Sequence, residues 1–358
     1  MILNQISLQN FRSYKKAQFI FDSRLTIIIG PNASGKTNLV EAISFLSTGK
    51  SFRTSKDKQV IVFGESVSRV TGETQDATKI EIVVSDMPGT VFKKYLINGV
   101  SKRRSGLSGL LPTVFFTPTD LTIVSGQPGD KRKFLDEVLE QTDQEYASAL
   151  TVYTKALRQR NALLELVQKT GRRDEERFLY WDNLLITHGK VLTEKREALI
   201  TYINALTKNL FQFTLTYDKS LMSKDRLLQY KDAEVGAGMT LVGPQRDDVI
   251  IQTRHPVSNE LEDVKYFCSR GQQRLITLEL KNAQISYFKA QLQMQPLLVL
   301  DDIFSELDNE HIKQIMDLTH DSQTIITTTH EEFIASDVGN KKAVIELEDI
   351  NRIRNQEL

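Results

Sequence analysis

The chain of 358 residues has one cysteine, Cys268. An internal disulfide is therefore excluded, a structural zinc site lacks its usual thiolates, and the composition suits a reducing compartment. Long apolar runs are missing as well, since none approaches the roughly 18 residues that a membrane span requires. The opening Met-Ile-Leu-Asn-Gln-Ile lacks the basic start and apolar core of a signal peptide. The expectation is a soluble cytoplasmic protein with no membrane partner. Net charge is absent too, with 46 Lys and Arg balancing 46 Asp and Glu, so bulk electrostatics point to no polyanion. There is no internal repeat and no low-complexity tract. Proline is missing between Pro128 and Pro244, and that interval reads as strongly helical.

What is present is unevenly placed. Residues 1–104 hold 16 Lys and Arg against 8 Asp and Glu, whereas the rest hold 30 against 38. Such asymmetry predicts one basic surface, a common footprint for phosphate backbones. A solvated mixed-charge face is the plain alternative. A chain of this length can bury a large core and suggests two structural units.

The stretch Gly30-Pro31-Asn32-Ala33-Ser34-Gly35-Lys36-Thr37 matches G-x-x-x-x-G-K-[ST], the phosphate-cradling P-loop. Leu25–Ile29 before it is apolar and β-branched, as in a buried strand. Asn38–Leu46 after it has apolar residues at helical spacing. In that context the loop amides and the positive end of the helix face a triphosphate. Lys36 would reach the β- and γ-phosphates, and the Thr37 hydroxyl would ligate Mg²⁺. The residues predict nucleoside triphosphate binding, but a P-loop alone does not name a reaction.

Around this motif the chain reads as mixed α/β. Strands are expected near Leu3–Phe11 and Phe19–Phe21, and a β-meander over residues 59–99 (Val60–Phe63, Val67–Thr71, Ile80–Val84, Val91–Ile97), with a tight turn at Asn98-Gly99. Tyr146, Leu150, Tyr153, Leu157 and Leu164 form an apolar stripe with Asn161 in the seam. Beyond Thr170-Gly171, Phe178, Leu185, Leu192, Leu199 and Leu206 recur every seven residues. Two such helices around a glycine turn predict an antiparallel hairpin, its second helix about 55 Å long if it spans residues 174–210.

Leu297–Leu300 is a buried strand that carries Asp301 to a sheet edge, where a second Mg²⁺ ligand belongs. Asp302 points the other way and could polarise a water. Paired carboxylates after an apolar run can also be a turn. Ser269-Arg270-Gly271-Gln272 opens a helix running to about Leu292, and alone could be an N-cap. Thr324–Thr329 is a further buried strand that exits at His330.

The order of these pieces resembles an ABC-type ATPase head, and the whole chain resembles the RecF family of recombination-mediator ATPases related to SMC proteins. The carriers are Asn10-Phe11-Arg12-Ser13-Tyr14, Gly30–Asn38 with Glu41-Ala42-Ile43, Gly49-Lys50-Ser51-Phe52-Arg53, Pro128–Asp136, Gly243-Pro244-Gln245-Arg246-Asp247-Asp248, Ser269–Arg274 and Asp301–Asp308. The resemblance implies an α/β ABC-type P-loop head with an antiparallel β lobe and an inserted helical arm. The expected division is 1–136 for the N-terminal part of the head, 137–236 for the arm and 237–358 for the rest of the head.

The same resemblance implies roles. ATP and Mg²⁺ would be held by Gly30 through Asn38 with Asp301. Ser269, Gly271 and Gln272 would cap the γ-phosphate bound by a second copy, in trans. Asp302 would be the base, Ser305–Asp308 a loop crossing the dimer interface, and His330 a switch beside the γ-phosphate. The implied function is ATP-dependent DNA binding in repair, recombination and replication restart. An ATP-driven head-to-head dimer would close on gapped or junction DNA, and slow, DNA-stimulated hydrolysis would release it. RecO and RecR-type partners, recombinase loading and the SOS response come with that reading. Lys50, Arg53, Lys93, Lys94, Lys102, Arg103 and Arg104 are the candidate DNA contacts, with Lys56, Lys58, Arg172 and Arg173 nearby in kind. Some positions depart from the wider pattern: Ala33 replaces a common glycine, Asp302 a common Glu, Thr119 an expected Glu and Gln245 an expected His. The region 116–121 has no glutamine. An SMC-like ABC head with a different DNA-associated role is the alternative. A small-molecule P-loop kinase would need neither the Ser-x-Gly-Gln motif nor a long arm.

Overall fold

A computed structural model describes residues 2–303, 321–329 and 343–348. The chain forms two compact units, one from Met1–Asp120 with Gln284–Leu358 and one from Leu121–Ala283.

The first unit is built on two sheets. The antiparallel sheet contains β1 (Leu3–Phe11), β2 (Tyr14–Ile20), β4 (Val67–Thr74), β5 (Lys79–Met87), β6 (Thr90–Ile97) and β7 (Val100–Lys102), in the order β2-β1-β4-β5-β6-β7. Along β4 and β5 burial alternates residue by residue, so one face meets the core. Asn98 and Gly99 have φ of 51° and 78°, the left-handed pair that a two-residue hairpin turn demands. The expected strand at Val60–Phe63 is instead a short 3₁₀ turn, Asp57–Val60, followed by a single bridge from Ile61 to Phe11. The bend at Phe11–Tyr14 claims those carbonyls: Arg12 donates its amide to Val60 O at 2.7 Å and its guanidinium to Gln59 O at 2.7 Å.

The parallel sheet contains β3 (Leu25–Ile29), β8 (Thr113–Phe116), β12 (Leu297–Asp301), β13 (Thr324–Thr328) and β14 (Ala343–Glu346), ordered β14-β3-β13-β12-β8. Every residue of β3, β12 and β13 is buried, which explains their unbroken apolar or β-branched character. Helix α1 (Lys36–Thr48) is buried over most of its circumference. Leu39, Val40, Ile43, Phe45 and Leu46 are each 0% exposed, so each contributes on the order of 2 kcal/mol. They share one core cluster with Leu3, Ile6 and Phe11 of the first sheet and Val299 and Ile325 of the second.

The second unit begins with α2 (Thr122–Ser125), α3 (Pro128–Thr142), α4 (Gln144–Thr170) and α5 (Glu175–Ala205). Asp143 and Asp174 cap α4 and α5 by accepting from Tyr146 N and Arg177 N, while Gly171 ends α4 in the left-handed conformation. The two helices form the expected hairpin, though α5, at 31 residues, is only about 46 Å long. On α5 the buried seam is Phe178, Leu185, Leu192 and Leu199 as the spacing predicts. On α4 it differs: Tyr146, Tyr153 and Leu164 are buried, but Ala149, Ala156 and Arg160 fill the places expected for Leu150, Leu157 and Asn161. Arg160 can lie there because Asp182, Glu234 and Thr240 meet its guanidinium at 2.6, 2.7 and 2.9 Å.

The unit continues with β9 (Thr214–Asp218), α6 (Lys224–Gln229), α7 (Lys231–Ala237), β10 (Asp248–Arg254), β11 (Leu261–Asp263), α8 (Val264–Phe267) and, as far as Ala283, α9 (Arg270–Leu292), and its strands pair as β11-β10-β9. Gly243–Asp248 ties the hairpin root together. Buried Arg196 of α5 donates to Pro244 O at 2.8 Å, Asp247 Oδ2 at 3.1 Å and Asp136 Oδ1 at 2.8 Å. Gly243 has φ 114°, and a Cβ there would lie 2.4 Å from Met222 Cε, so only glycine fits. Arg132 adds to these ties by donating to Asp247 O at 2.5 Å.

Candidate nucleotide-binding site

The site is built where β3 ends and α1 begins. Gly30 sits under the loop with no room for a side chain: a Cβ would lie 2.6 Å from Ser34 Oγ and 2.7 Å from Leu347 O. Ala33 and Gly35 are left-handed at φ 67° and 102°, which turns the loop amides inward and explains why glycine is common at such positions. At Ala33 that conformation costs about 1 kcal/mol.

Lys36 is 7% exposed, and its Nζ donates to Gly30 O at 2.6 Å and Pro31 O at 2.9 Å. Burial pulls its pKa down, while Asp302 and Asp301 work against that. From β12, Asp301 presents a buried carboxylate whose Oδ1 accepts from Thr327 Oγ1 of β13 at 2.6 Å. Burial is the main cause that lifts the Asp301 pKa, and the neighbouring Asp302 adds to it. Hydrogen bonds from Thr327 and Thr37 and the charge of Lys36 oppose the rise. Thr37 and Asp301, the two expected metal ligands, are thus in contact, with Lys36 close by. Asp302 follows with φ 52°, a left-handed turn that Asp tolerates better than most residues and that separates its direction from that of Asp301.

These residues fit a Mg²⁺-bound triphosphate. Ser34 Oγ is buried inside the loop and has no hydrogen-bond partner among the described residues, an orphan that a phosphate oxygen would satisfy. Thr37 and Asp301 supply hard oxygen ligands of the kind Mg²⁺ takes. Pro31, Asn32, Ala33 and Thr37 are exposed, which leaves the cradle open.

Sequence reasoning missed how the β1–β2 bend is tied to this loop. Tyr14 donates its hydroxyl to Gly35 O at 3.1 Å, and Asn38 Nδ2 donates to Ser13 Oγ at 2.7 Å. Arg12 grips Glu41 of α1, which is 0% exposed; Ser51 Oγ donates to the same carboxylate at 2.5 Å, and Arg53 Nη1 donates to Asn38 Oδ1 at 2.9 Å. The signal available in the sequence was Glu41 itself, a carboxylate inside an apolar helical face, which must have a cationic partner.

The remaining candidates fall as follows. Ser269 and Gln272 make a reciprocal capping box at the start of α9: Ser269 N donates to Gln272 Oε1 at 2.9 Å, and Gln272 N to Ser269 Oγ at 3.3 Å. Ser269, Arg270, Gly271 and Gln272 are all exposed, and among the described residues a Cβ on Gly271 would meet nothing nearer than Ser269 Oγ at 4.0 Å. Lys50, Arg53, Lys94, Lys102 and Arg103 are exposed and Arg104 is half-buried, its Nη1 donating to Thr48 O at 3.4 Å. Lys93 is turned inward, paired with Asp57, donating to Gly49 O at 3.0 Å and lying over the Phe45 ring. Burial lowers its pKa. His330 and Ser305–Asp308 lie outside the described residues.

Comparison with known proteins places the chain in a family. The model of the RecF/RecN/SMC N-terminal domain matches residues 2–349. The DNA replication and repair protein RecF of Moorella thermoacetica is 37% identical over 340 residues, covering 91% of this chain and 90% of that one. Its counterpart in Leptospira interrogans is 33% identical over 358 residues, covering 96% and 95%. The solved structure of the recombination mediator protein RecF-ATP in the RecFOR pathway superposes with a TM-score of 0.81 at 28% identity, over 96% of this chain and 95% of that one. The Smc head domain of Pyrococcus furiosus, at TM-score 0.51 and 17% identity over 99% and 98% of the two chains, shares the fold. The chain has the ABC-type head fold of SMC-related ATPases, and it belongs to the RecF family.

Proposed function

We propose that this chain is an ATP-dependent DNA-binding protein of replication and repair, whose head binds Mg-ATP at Gly30–Asn38 and pairs with a second copy. The observation that carries the reading is the meeting of Lys36, Thr37 and Asp301 at the end of a loop whose buried Ser34 hydroxyl has no hydrogen-bond partner among the described residues. Thr37 and Asp301 would hold Mg²⁺, which when bound would neutralise charge on the triphosphate. Lys36 leaves the carbonyls of Gly30 and Pro31 for the phosphates, and the loop amides hold the remaining oxygens. Ser269, Gly271 and Gln272 of the second copy close the cage, because an exposed helix start with a serine cap offers amides and a hydroxyl to an anion. Asp302 orients the attacking water, and His330 is assigned as the switch for that step. The short arm of Asp302 suits slow hydrolysis, which then releases the dimer.

The partner DNA is a gap or a single-strand to double-strand junction, bound through the basic loops that carry Lys50, Arg53, Lys94, Lys102, Arg103 and Arg104. Lys93 supports the loop from inside. DNA stimulates the ATPase, RecO and RecR-type proteins join for recombinase loading, recombination and the SOS response, and the protein works in the cytoplasm. Sedimentation in Mg-ATP and in Mg-ADP, with and without gapped duplex, tests the core of this. A dimer is expected in Mg-ATP alone, stabilised by DNA; a chain that binds ATP yet stays single under both conditions overturns it.

A further inference from the structure

The segment before the Ser269 turn is unusual for a surface. Tyr266 is 81% exposed and Phe267 is 41% exposed at the end of α8. The Phe267 ring lies 5.2 Å from that of His255, tilted by 54°. His255 opens the loop between β10 and β11, where its Nδ1 accepts from Val257 N at 3.2 Å and Ser258 N at 3.1 Å. That loop projects Val257, 88% exposed, and leads into Leu261, 48% exposed. Two aromatic and two aliphatic side chains are thus left in water within one small substructure. Isolated apolar residues on a surface need no explanation, but a group of this kind marks a contact site.

We propose that Tyr266, Phe267 and Val257 form an apolar collar that packs against a second copy of this chain when the two heads close on ATP. The collar presupposes the dimer reading above, and continuity with that interface selects the occupant. Phe267 is two residues from Ser269, and even extended chain rises only about 3.3 Å per residue. A Ser269 that enters the second copy's phosphate site therefore brings Phe267 within about 7 Å of that copy. The chemistry fits as well: aromatic side chains anchor protein interfaces, whereas the serine and glycine of the turn offer little apolar area. A stable interface needs on the order of 800 Å² from each partner, more than a helix tip on a phosphate can bury. The tip confers dependence on ATP, and the collar supplies area and affinity.

The test uses the full chain with Tyr266→Ser, Val257→Glu and the double variant Tyr266→Ser/Phe267→Ser. ATP affinity of the monomer is measured at low protein concentration with a fluorescent ATP analogue. The dimer dissociation constant is measured in Mg-ATP by sedimentation velocity, and gapped-duplex binding by anisotropy. Because Tyr266 and Val257 are so exposed, the two single variants keep the test valid even if the double variant fails to fold. The expected result is unchanged monomer affinity for ATP with the dimer constant raised at least ~10-fold in each folded variant. A native chain that dimerises, with variants that dimerise equally well, overturns the collar alone. Weakened DNA binding with an unchanged dimer constant assigns the patch to DNA and also overturns it. A native chain that binds ATP but never dimerises overturns the dimer reading, and the collar with it.

Discussion

Arg12 holds both carboxylate oxygens of Glu41, at 2.9 Å through Nε and 2.5 Å through Nη2, inside the helix that begins at the phosphate loop. The pair joins the β1–β2 bend to α1, and Ser51 and Arg53 join the basic loop to the same point.

Arg12→Ala therefore strands a fully buried carboxylate. Removing one partner of a buried pair costs roughly 3–5 kcal/mol, and Ser51 keeps the loss near the lower end. Urea denaturation should show that loss, and Arg12→Met with Glu41→Leu should recover much of it. Equal stability of Arg12→Ala and the native chain would remove the pair from the account of the fold.

Asp301 gives a pH dependence with a definite sign. Its folded pKa is raised by burial. For an acid, that means stability is fully present below the unfolded value, near 4, and is lost as pH rises through the folded value. Asp301→Asn should accordingly raise the melting temperature in EDTA at neutral pH. In Mg-ATP the order should reverse, because the metal needs the carboxylate, and acidification through the raised pKa should weaken Mg²⁺-dependent nucleotide binding. Calorimetry with and without Mg-ATP checks both signs.

Ser269→Arg should leave ATP binding by the monomer unchanged and prevent the ATP-driven dimer. The serine is exposed and caps only its own helix turn, so a local stability loss of about 1 kcal/mol is expected. Dimers forming normally in sedimentation would refute the in-trans role.

Charge reversal at Lys102 and Arg103, both exposed at the edge of the antiparallel sheet, should weaken DNA binding without sequence preference. The logarithmic salt slope should fall by about one for each phosphate that is no longer neutralised. An unaltered slope would clear this edge of a role in holding DNA.

Much of the fold is legible because its signals are local. Gly30–Thr37 between an apolar β-branched run and a helical one can scarcely be anything but strand, loop and helix. Leu297–Asp301, Thr324–Thr328, Asn98-Gly99 and the heptad of α5 also declare themselves over a few residues. The α4 seam does not. Periodicity favours leucine over arginine as a seam residue, yet Arg160 is buried because Asp182 and Glu234 come to it from distant parts of the chain. Val60–Phe63 is likewise strand-like by composition, but the Arg12 bend takes the carbonyls of Gln59 and Val60 where that strand would begin.

Contiguous residues were enough to mark the Gly30–Thr37 loop, because a glycine-bounded turn between an apolar β-branched run and a helical one has few steric solutions, whereas Asp301 and Ser269 each kept a plain turn or N-cap as an open reading. Folding alone chose the partners of the buried charges: Glu41 with Arg12, Arg196 with Asp136 and Asp247, and Lys93 with Asp57. Charges interact with whatever the fold brings within a few ångströms, and that distance is set by packing across the whole unit rather than by spacing along the chain.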